Sequence, residues 1–428
     1  MSDRAEYSSR RFRSLWIWGL LLVVGRQAPA ADWEQFRGPT RDGISSESGL
    51  VTSWGEDGPR ELWRRPIGEA FSAVVAVGKR LYTLDSDAAE TEQAGEYALA
   101  INAETGDTLW RRRIGDLFTE GFGNGPRSGP AWHDGRLYVL SSRGNFHALD
   151  AEDGRILWSV DFKERFAAQV QTWAFSSAPL ILPDLRLVVV EAGGTEGRAV
   201  AAFDLETGDL RWTAIDDTVV YSSPVEMNLH GVRQLVFLAQ SGLWALDTEG
   251  KTLWRSPFVP KLGIKPAPPV FVAPDRVFVS ASYEAGAKMV RVTHGEQGFA
   301  AEDLWEDRSM RNHFNGSVVL DNHLIGFDKA TLKCIDAATG ALAWAERGLG
   351  MGSLIRTEDL LIILSERGKL VLADASTDAF TPLAEHPVLS GRCWTQPTLS
   401  DGRLYVRNGA EIVALDLRAA TAPEGGES

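Results

Sequence analysis

The sequence has little cysteine and histidine and no surplus of positive charge. Two cysteines among 428 residues exclude a disulfide scaffold and a multi-thiol metal site. The seven histidines form neither a His-Glu-x-x-His motif nor another close ligand pair, so no zinc-hydrolase signature is present. A net charge of −14 without basic clusters argues against nucleic acid or an anionic membrane as partner.

Long apolar runs are also missing. The apolar run from Leu15 to Val24 is too short to span a bilayer comfortably. Arg10, Arg11 and Arg13 precede it, and Ala28-Pro29-Ala30 follows, as in an export signal cleaved after Ala30. We therefore predict an exported chain, periplasmic or secreted, with no integral membrane span after cleavage. The Arg10-Arg11 pair leaves the twin-arginine route open beside the favoured general secretory route.

Helical periodicity is nearly absent, and a turn motif recurs in its place. An Asp or Asn precedes a Gly by four residues, and a Trp follows that Gly by four. The Asp or Asn side chain can bond to the backbone two residues on, and Gly supplies the positive φ that completes the turn. A Trp at a fixed offset can bury its ring against the next repeat. Four copies end at Trp110, Trp158, Trp212 and Trp344, and a copy one residue shorter ends at Trp254.

The tryptophan spacing predicts the fold. Seven of these residues (63, 110, 158, 212, 254, 305 and 344) lie 39 to 54 positions apart, the period of a four-stranded propeller blade. The seven complete units are Phe71–Trp110, Ser128–Trp158, Ser176–Trp212, Ser222–Trp254, Ala267–Trp305, Gly316–Trp344 and Ser353 to about Phe380. The fifth has lost the Asp-to-Gly turn, and the seventh lacks both the Gly and the Trp.

The two chain ends each supply part of an eighth unit. Glu61–Trp63 resembles the fourth strand of a unit whose first three strands are missing. The segments that end in Glu411–Asp416 resemble the first three strands of a unit whose fourth strand is missing. We therefore predict an all-β, single eight-bladed β-propeller of four-stranded antiparallel blades, closed by the N-terminal strand. The predicted boundaries are a signal peptide at 1–30, an arm at 31–59, the propeller at 60–418 and a disordered tail at 419–428.

The motif Asp…Thr-Gly…Trp around Gly208 and Gly340 resembles the pyrroloquinoline-quinone (PQQ)-type propeller repeat. That superfamily includes quinoprotein alcohol dehydrogenases and BamB, the lipoprotein subunit of the outer-membrane barrel-assembly machine. Trp33–Pro39, Glu366–Leu370 and Cys393–Asn408 resemble a secreted group common in planctomycete-type bacteria, whose members are generally named for the repeat. The resemblance covers nearly all of residues 60–418 and implies the same fold.

The resemblance to quinoproteins also implies a quinone-binding site, and this sequence lacks part of that site. Those enzymes place adjacent cysteines over the quinone, hold Ca²⁺ with a carboxylate and an Asn, and use an Asp base and a Trp floor. Here Cys334 and Cys393 lie 59 positions apart, and no Cys-x-x-Cys-His haem motif exists. We therefore expect no catalytic residue, metal or cofactor, with PQQ and Ca²⁺ only under the dehydrogenase alternative. Whether the cysteines form a disulfide or remain buried thiols stays open.

A binding site is expected where the inner strands begin, because the preceding segments of several blades converge there. Aromatic rings beside cations and amides suit a polar ligand, a sugar or a peptide. Alternatively, Trp173 and Trp394 pack between blades and the cations pair with nearby carboxylates. The candidate residues are Arg127, Trp173, Phe175, Tyr221, Lys265, Asn312, His313, Asn315, Arg392 and Trp394.

Three functions remain open from the sequence. The favoured one is an exported, non-catalytic, monomeric propeller that binds a protein or glycan partner through this funnel face. The second is a PQQ-dependent dehydrogenase-like quinoprotein. The third is a BamB-like outer-membrane assembly scaffold that binds its partners through outer loops.

Overall fold

The computed structural model describes residues 32–88, 93–259 and 264–419. The predicted signal peptide, and the predicted tail from residue 420 onward, lie outside the described residues. Within the described ranges, no helix has both the length and the apolarity needed to cross a membrane.

The described chain forms eight antiparallel four-stranded sheets, and seven of them use four consecutive strands, ordered from the inside of the ring outward. Blade 1 contains β2 (Val75–Val77), β3 (Arg80–Ser86), β4 (Gly95–Asn102) and β5 (Thr108–Asp116), and blade 2 contains β6 (Ala131–His133), β7 (Arg136–Leu140), β8 (Asn145–Asp150) and β9 (Ile156–Asp161). Blade 3 contains β10 (Leu180–Leu182), β11 (Leu187–Glu191), β12 (Val200–Asp204) and β13 (Leu210–Ala214), and blade 4 contains β14 (Val225–Leu229), β15 (Val232–Ala239), β16 (Gly242–Leu246) and β17 (Thr252–Pro257).

The second half of the ring has the same organisation. Blade 5 contains β18 (Val270–Val272), β19 (Arg276–Ala281), β20 (Gly286–Gly295) and β21 (Gly298–Asp307), and blade 6 contains β22 (Val318–Leu320), β23 (His323–Asp328), β24 (Thr331–Asp336) and β25 (Leu342–Glu346). Blade 7 contains β26 (Ser353–Arg356), β27 (Leu360–Leu364), β28 (Lys369–Asp374) and β29 (Pro382–Pro387), and blade 8 contains β30 (Thr398–Ser400), β31 (Arg403–Arg407), β32 (Glu411–Asp416) and β1 (Arg60–Pro66). A helix, α1 (Phe162–Phe166), follows blade 2, and a 3₁₀ turn (Pro183–Leu185) lies in blade 3.

The ring closes as predicted. Strand β1 pairs antiparallel with β32, with Arg60 opposite Asp416, Glu61 opposite Leu415 and Pro66 opposite Glu411. The first and last segments of the propeller thus share one sheet, in which β32 is hydrogen-bonded to β31 on one side and to β1 on the other. The predicted fold class, a single eight-bladed all-β propeller closed by the N-terminal strand, is confirmed.

The repeated turn is built as its sequence predicts. Asp204 Oδ1 accepts hydrogen bonds from the backbone N–H of Glu206 (2.9 Å) and Thr207 (3.0 Å). Gly208 follows at φ +74°, and the ring of Trp158, from the preceding blade, lies directly over it. The indole N–H of Trp158 donates to the Leu205 carbonyl of the same turn at 3.1 Å. This turn is therefore fixed by its own Asp and covered by the Trp of the preceding blade.

The same indole-to-turn hydrogen bond recurs around the ring. Its donors are Trp63, Trp110, Trp158, Trp212, Trp305 and Trp344. Trp254 differs, because the next blade is the one that has lost the turn. Its indole instead donates to Gln234 Oε1 within its own blade, at 2.6 Å. Blade 7 has no closing Trp, and its fourth strand, β29, begins just beyond the predicted limit at Phe380.

The N-terminal arm enters the central channel at the end opposite the funnel face. Trp33 is buried and bridges to Ala76 on the inner strand of blade 1, and Ile44 bridges to Arg356 on the inner strand of blade 7. Between these points Arg37 and Arg41 are almost fully buried. The arm therefore runs through the channel from its contact with blade 1 to its contact with blade 7.

The two arm arginines bond to backbone rather than to carboxylates. Arg37 donates to the carbonyls of Gly316 (3.0 Å) and Ser317 (2.7 Å), just before the inner strand of blade 6. Arg41 donates to the carbonyls of Ala178, Pro179 and Pro224, which belong to blades 3 and 4. The guanidinium groups thereby provide hydrogen-bond donors to carbonyls around the channel. Burial lowers the pKa of Arg37 to about 10 and that of Arg41 to about 9.

Candidate functional site

A cavity of about 720 Å³ occupies the funnel end of the ring. Segments leading into the inner strands of all eight blades contribute to its wall, and Phe36 of the arm contributes to its lining from below. The buried Arg37 and Arg41 follow Phe36 in the chain, so the arm forms the base of this pit. We refer to it as the funnel cavity. Its volume falls within the roughly 300–1,000 Å³ typical of small-molecule sites.

The structure brings seven of the ten predicted residues to this wall. They are Arg127, Trp173, Tyr221, His313, Asn315, Arg392 and Trp394. The other three lie behind the wall. Phe175 packs in the core of blades 2 and 3, 6.0 Å from the ring of Phe162. Lys265 is fully buried, and its ammonium donates to the carbonyls of Ala239 and Gln240.

Asn312 also supports the wall from behind. Its amide donates to the Phe327 carbonyl at 3.1 Å and accepts from Ser317 Oγ at 3.2 Å. Position before an inner strand therefore does not by itself bring a side chain into the cavity.

Aromatic rings form two groups on the cavity wall. On one side, the Trp394 ring lies 4.8 Å from Phe314 and 5.6 Å from Phe71, measured between centroids. On the other side, Trp173 and Tyr221 meet edge to face at 5.6 Å. Tyr221 precedes blade 4 and Trp394 precedes blade 8, which are opposite members of a ring of eight. The two groups therefore flank the central volume.

The charged groups on the wall are largely engaged with one another or with backbone. Arg127 pairs with Glu120 at 2.5 Å and donates to the carbonyls of Gly123 and Gly125. Burial lowers the pKa of Arg127, although Glu120 acts in the opposite direction. Arg392 lies 4.4 Å from the centroid of Trp394 and donates to the Phe122 carbonyl. The alternative in which the cations pair locally therefore holds for Arg127.

Three of the residues that line the cavity each have a buried polar side-chain atom without a hydrogen-bond partner. These atoms are Ser176 Oγ, His313 Nδ1 and Gln396 Oε1. The other polar atoms of two of these residues are used: Gln396 Nε2 donates to the Leu354 carbonyl, and His313 Nε2 bonds to Tyr283 Oη. Burial lowers the pKa of His313 to about 4, so its ring is neutral near pH 7. A buried polar atom without a partner costs free energy, and a ligand could supply the missing bond.

Sequence similarity now assigns the chain to a family. Residues 94–346, more than half of the chain, match the model of the family described as outer membrane protein assembly factor BamB. The chain belongs to the BamB family. BamB from Burkholderia pseudomallei is 26% identical over 377 residues, covering 81% of this chain and 87% of that protein. BamB from Moraxella catarrhalis superposes with a TM-score of 0.59 at 15% identity, covering 85% of this chain and 99% of that one.

Quinone enzymes are also similar to this BamB-family chain, over shorter stretches. The dehydrogenase subunit of a quinone alcohol dehydrogenase from Gluconacetobacter polyoxogenes is 29% identical over 171 residues, or 37% of this chain and 22% of that protein. The chain therefore spans less than a quarter of that relative. A europium-containing methanol dehydrogenase shares the fold, with a TM-score of 0.52 at 14% identity.

The funnel cavity does not offer the donor set of a quinone site. Cys334 and Cys393 are free and buried, neither lines the cavity, and burial raises the pKa of each thiol to about 12. In the described part of the chain, no cluster of three His, Cys, Asp or Glu residues could hold a metal ion. Arg127, one of the cations available to the carboxylates of PQQ, is already paired with Glu120. The residues present therefore do not fit PQQ with its cation.

Sequence reasoning missed several lining residues. Phe71, Phe314 and Gln396 precede inner strands just as the predicted residues do, so the same rule could have found them. Phe36 reaches the cavity only because the arm enters the channel. Tyr283 reaches it from the turn between β19 and β20. No local pattern in the sequence marks either of these two positions.

Proposed function

We propose that this chain is an exported, non-catalytic binding protein of the cell envelope, which holds a protein or glycan partner in the funnel cavity. The observation that carries the proposal is the funnel cavity itself, with aromatic groups on opposite sides and three lining residues that each have a buried polar atom without a partner. Side-chain rotation toward the cavity would let a ligand supply the hydrogen bonds that these atoms lack. Cleavage after Ala30 and a monomeric state are part of the same proposal, and mass spectrometry and light scattering test them.

Photocrosslinking at the rim tests the funnel site directly. Phe122 lines the cavity and is 54% exposed, whereas Leu342, on the outer strand of blade 6, is 59% exposed. Each is replaced in turn by a photoreactive phenylalanine, and the protein is irradiated in cells that export it. We expect a discrete adduct from position 122 that is lost when Trp173→Ala is added. Adducts from position 342 alone would contradict the funnel proposal.

Family membership favours an assembly role as a second candidate. The family model and the BamB relative from Burkholderia pseudomallei together cover most of the propeller. Under this candidate, the protein would co-purify with the outer-membrane assembly machinery, and position 342 would crosslink to it. Recovery without any of that machinery would count against the assembly role.

A dehydrogenase role is tested by adding PQQ and Ca²⁺ to the purified protein. Because the donor set of the cavity does not fit this pair, we expect no shift in the quinone absorption and no alcohol-dependent dye reduction. A saturable spectral change would contradict the non-catalytic proposal.

A further inference from the structure

The charge of the funnel cavity favours a neutral ligand. Six charged side chains contribute to its lining, three of each sign: Glu120, Arg127, Glu284, Lys329, Glu366 and Arg392. Arg127 is neutralised by Glu120 within the wall. Glu366 accepts hydrogen bonds from the Trp394 indole and from the backbone N–H of Met351, both at 3.1 Å. A strongly charged ligand would therefore meet no surplus of opposite charge on this wall.

The unpartnered atoms of Ser176, His313 and Gln396 favour a ligand rich in hydroxyl or amide groups. Gln396 is 6% exposed, its amide N–H₂ donates to the Leu354 carbonyl, and its unpartnered Oε1, an amide oxygen, can only accept. Ser176 Oγ can donate or accept. His313 Nδ1 offers one further bond, whose direction depends on the tautomer that Tyr283 selects. The three residues belong to segments before blades 8, 3 and 6, so a ligand that bonds to them presents polar groups in several directions.

The two aromatic groups require the same ligand to have apolar faces. Trp173 and Tyr221 lie on one side of the pit, and Phe71, Trp394 and Phe314 lie on the other. A pyranose ring combines apolar C–H faces with hydroxyl groups around its rim, which matches aromatic walls with isolated polar atoms between them. Peptides are usually recognised along a sheet edge or a linear groove. A pit enclosed by eight blades offers neither.

The arm determines how deep such a ligand can reach. Phe36 contributes to the lining, and below it Arg37 and Arg41 bind carbonyls of blades 6, 3 and 4. Because the arm forms the base of the cavity, a ligand chain enters from the funnel side with one end first. Building on the proposed function, we infer that the funnel cavity binds the end of a short neutral saccharide between its two aromatic groups.

Titration with defined saccharides tests the inference. The probes are neutral trisaccharides of the common hexoses and N-acetylhexosamines, trigalacturonate as an anionic match, and an uncharged tripeptide. We expect at least one neutral trisaccharide to bind with a Kd of roughly 0.01–1 mM by calorimetry. Neither trigalacturonate nor the tripeptide is expected to match it.

Variants then locate the bound saccharide. Trp173→Ala and Tyr221→Ala, from separate segments, should each weaken binding about tenfold or more, corresponding to at least about 1.4 kcal/mol. Gln396→Leu should weaken it roughly fivefold to tenfold by removing the free acceptor. Trp54→Ala is the matched control, because Trp54 does not line the cavity, and it should bind like the wild type. Circular dichroism confirms that each variant is folded.

The outcomes separate this inference from the proposed function. If no neutral saccharide binds, or if Trp173→Ala and Tyr221→Ala leave saccharide affinity unchanged, the saccharide inference is wrong. If the tripeptide or trigalacturonate binds instead, with loss in Trp173→Ala, the cavity is a binding site of another chemical class. The crosslinking at position 122 decides independently whether the cavity holds any partner.

Discussion

Single residues decide how neighbouring blades fit together. Gly208 shows this most directly, because a Cβ at this position would lie 2.6 Å from Trp158 Cδ2. The glycine therefore meets two demands at once, a positive φ and room for the indole of the previous blade. The same contact recurs between Gly154 and Trp110 and between Gly250 and Trp212. The repeat motif thus encodes an interface between blades as well as a turn.

Substituting Gly208 with Ala tests the steric demand against a matched glycine. Gly231 has a similar backbone (φ +77° against +74°) but nothing within 4 Å of its Cβ position. Both alanine variants should lose about 1 kcal/mol from backbone strain. Gly208→Ala should lose about 1–3 kcal/mol more because it overpacks the Trp158 contact. Chemical denaturation of both variants measures the difference, and equal losses would contradict the proposed role of the Trp.

His313 makes stability depend on pH. Burial lowers its pKa from 6.5 to about 4 in the folded protein. Between these values the unfolded chain binds a proton that the folded chain does not, so stability falls as the pH drops from about 6.5 to 4. The loss through this residue should reach up to about 3 kcal/mol. Melting curves of the wild type and His313→Gln across this range should diverge, with the variant less sensitive to acid. Parallel curves would show that the residue does not titrate in this way.

At the scale of elements, the arm acts as an internal ligand of the channel. It supplies hydrogen-bond donors to carbonyls from blades 3, 4 and 6 and an aromatic side chain to the funnel cavity. Guanidinium suits this role because its five N–H groups point in fixed directions and can serve several carbonyls at once. The arm therefore links blades that are not neighbours in the ring.

Replacing Arg41 should be far more costly than replacing a surface arginine. Arg41→Met leaves the carbonyls of Ala178, Pro179 and Pro224 without their donor, so we expect a loss of at least about 2 kcal/mol. Arg155, which is exposed and pairs with Asp150, is the control, and Arg155→Met should change stability by less than about 1 kcal/mol. Urea denaturation compares the two. Similar losses in the two variants would mean that the buried hydrogen bonds of Arg41 add little to the free energy of unfolding.

At the scale of the whole molecule, closure gives blade 8 its fourth strand, so that β32 is no longer an edge strand. Strand β1 covers the outer edge of β32 along Arg60–Pro66. Without β1, the buried strand β32 would become the outer edge of the blade, and an exposed apolar edge invites pairing with another chain. Closure and the arm lie on one continuous segment, so the N-terminal part of the described chain secures both the rim and the centre of the ring.

Two truncated chains test whether the arm and β1, rather than the predicted signal peptide, contribute to stability. A chain that begins at Asp32 keeps the arm and β1, and should have the melting temperature of the exported protein. A chain that begins at Ile67 lacks both, and should melt at lower temperature and form aggregates on size-exclusion chromatography. If the second chain were monomeric with an unchanged melting temperature, neither closure nor the arm would contribute to stability.

The sequence by itself determined the architecture, because the turn and its Trp are local patterns whose repetition gives blade number and closure. It also indicated which end of the ring carries the cavity, and seven of its ten candidate residues lie on the wall. Only the tertiary structure decided that Phe175, Lys265 and Asn312 point away, and that Phe36 and Tyr283 reach the cavity. Side-chain direction and the path of a non-repeating arm depend on packing between distant segments, and no spacing within the chain encodes that packing.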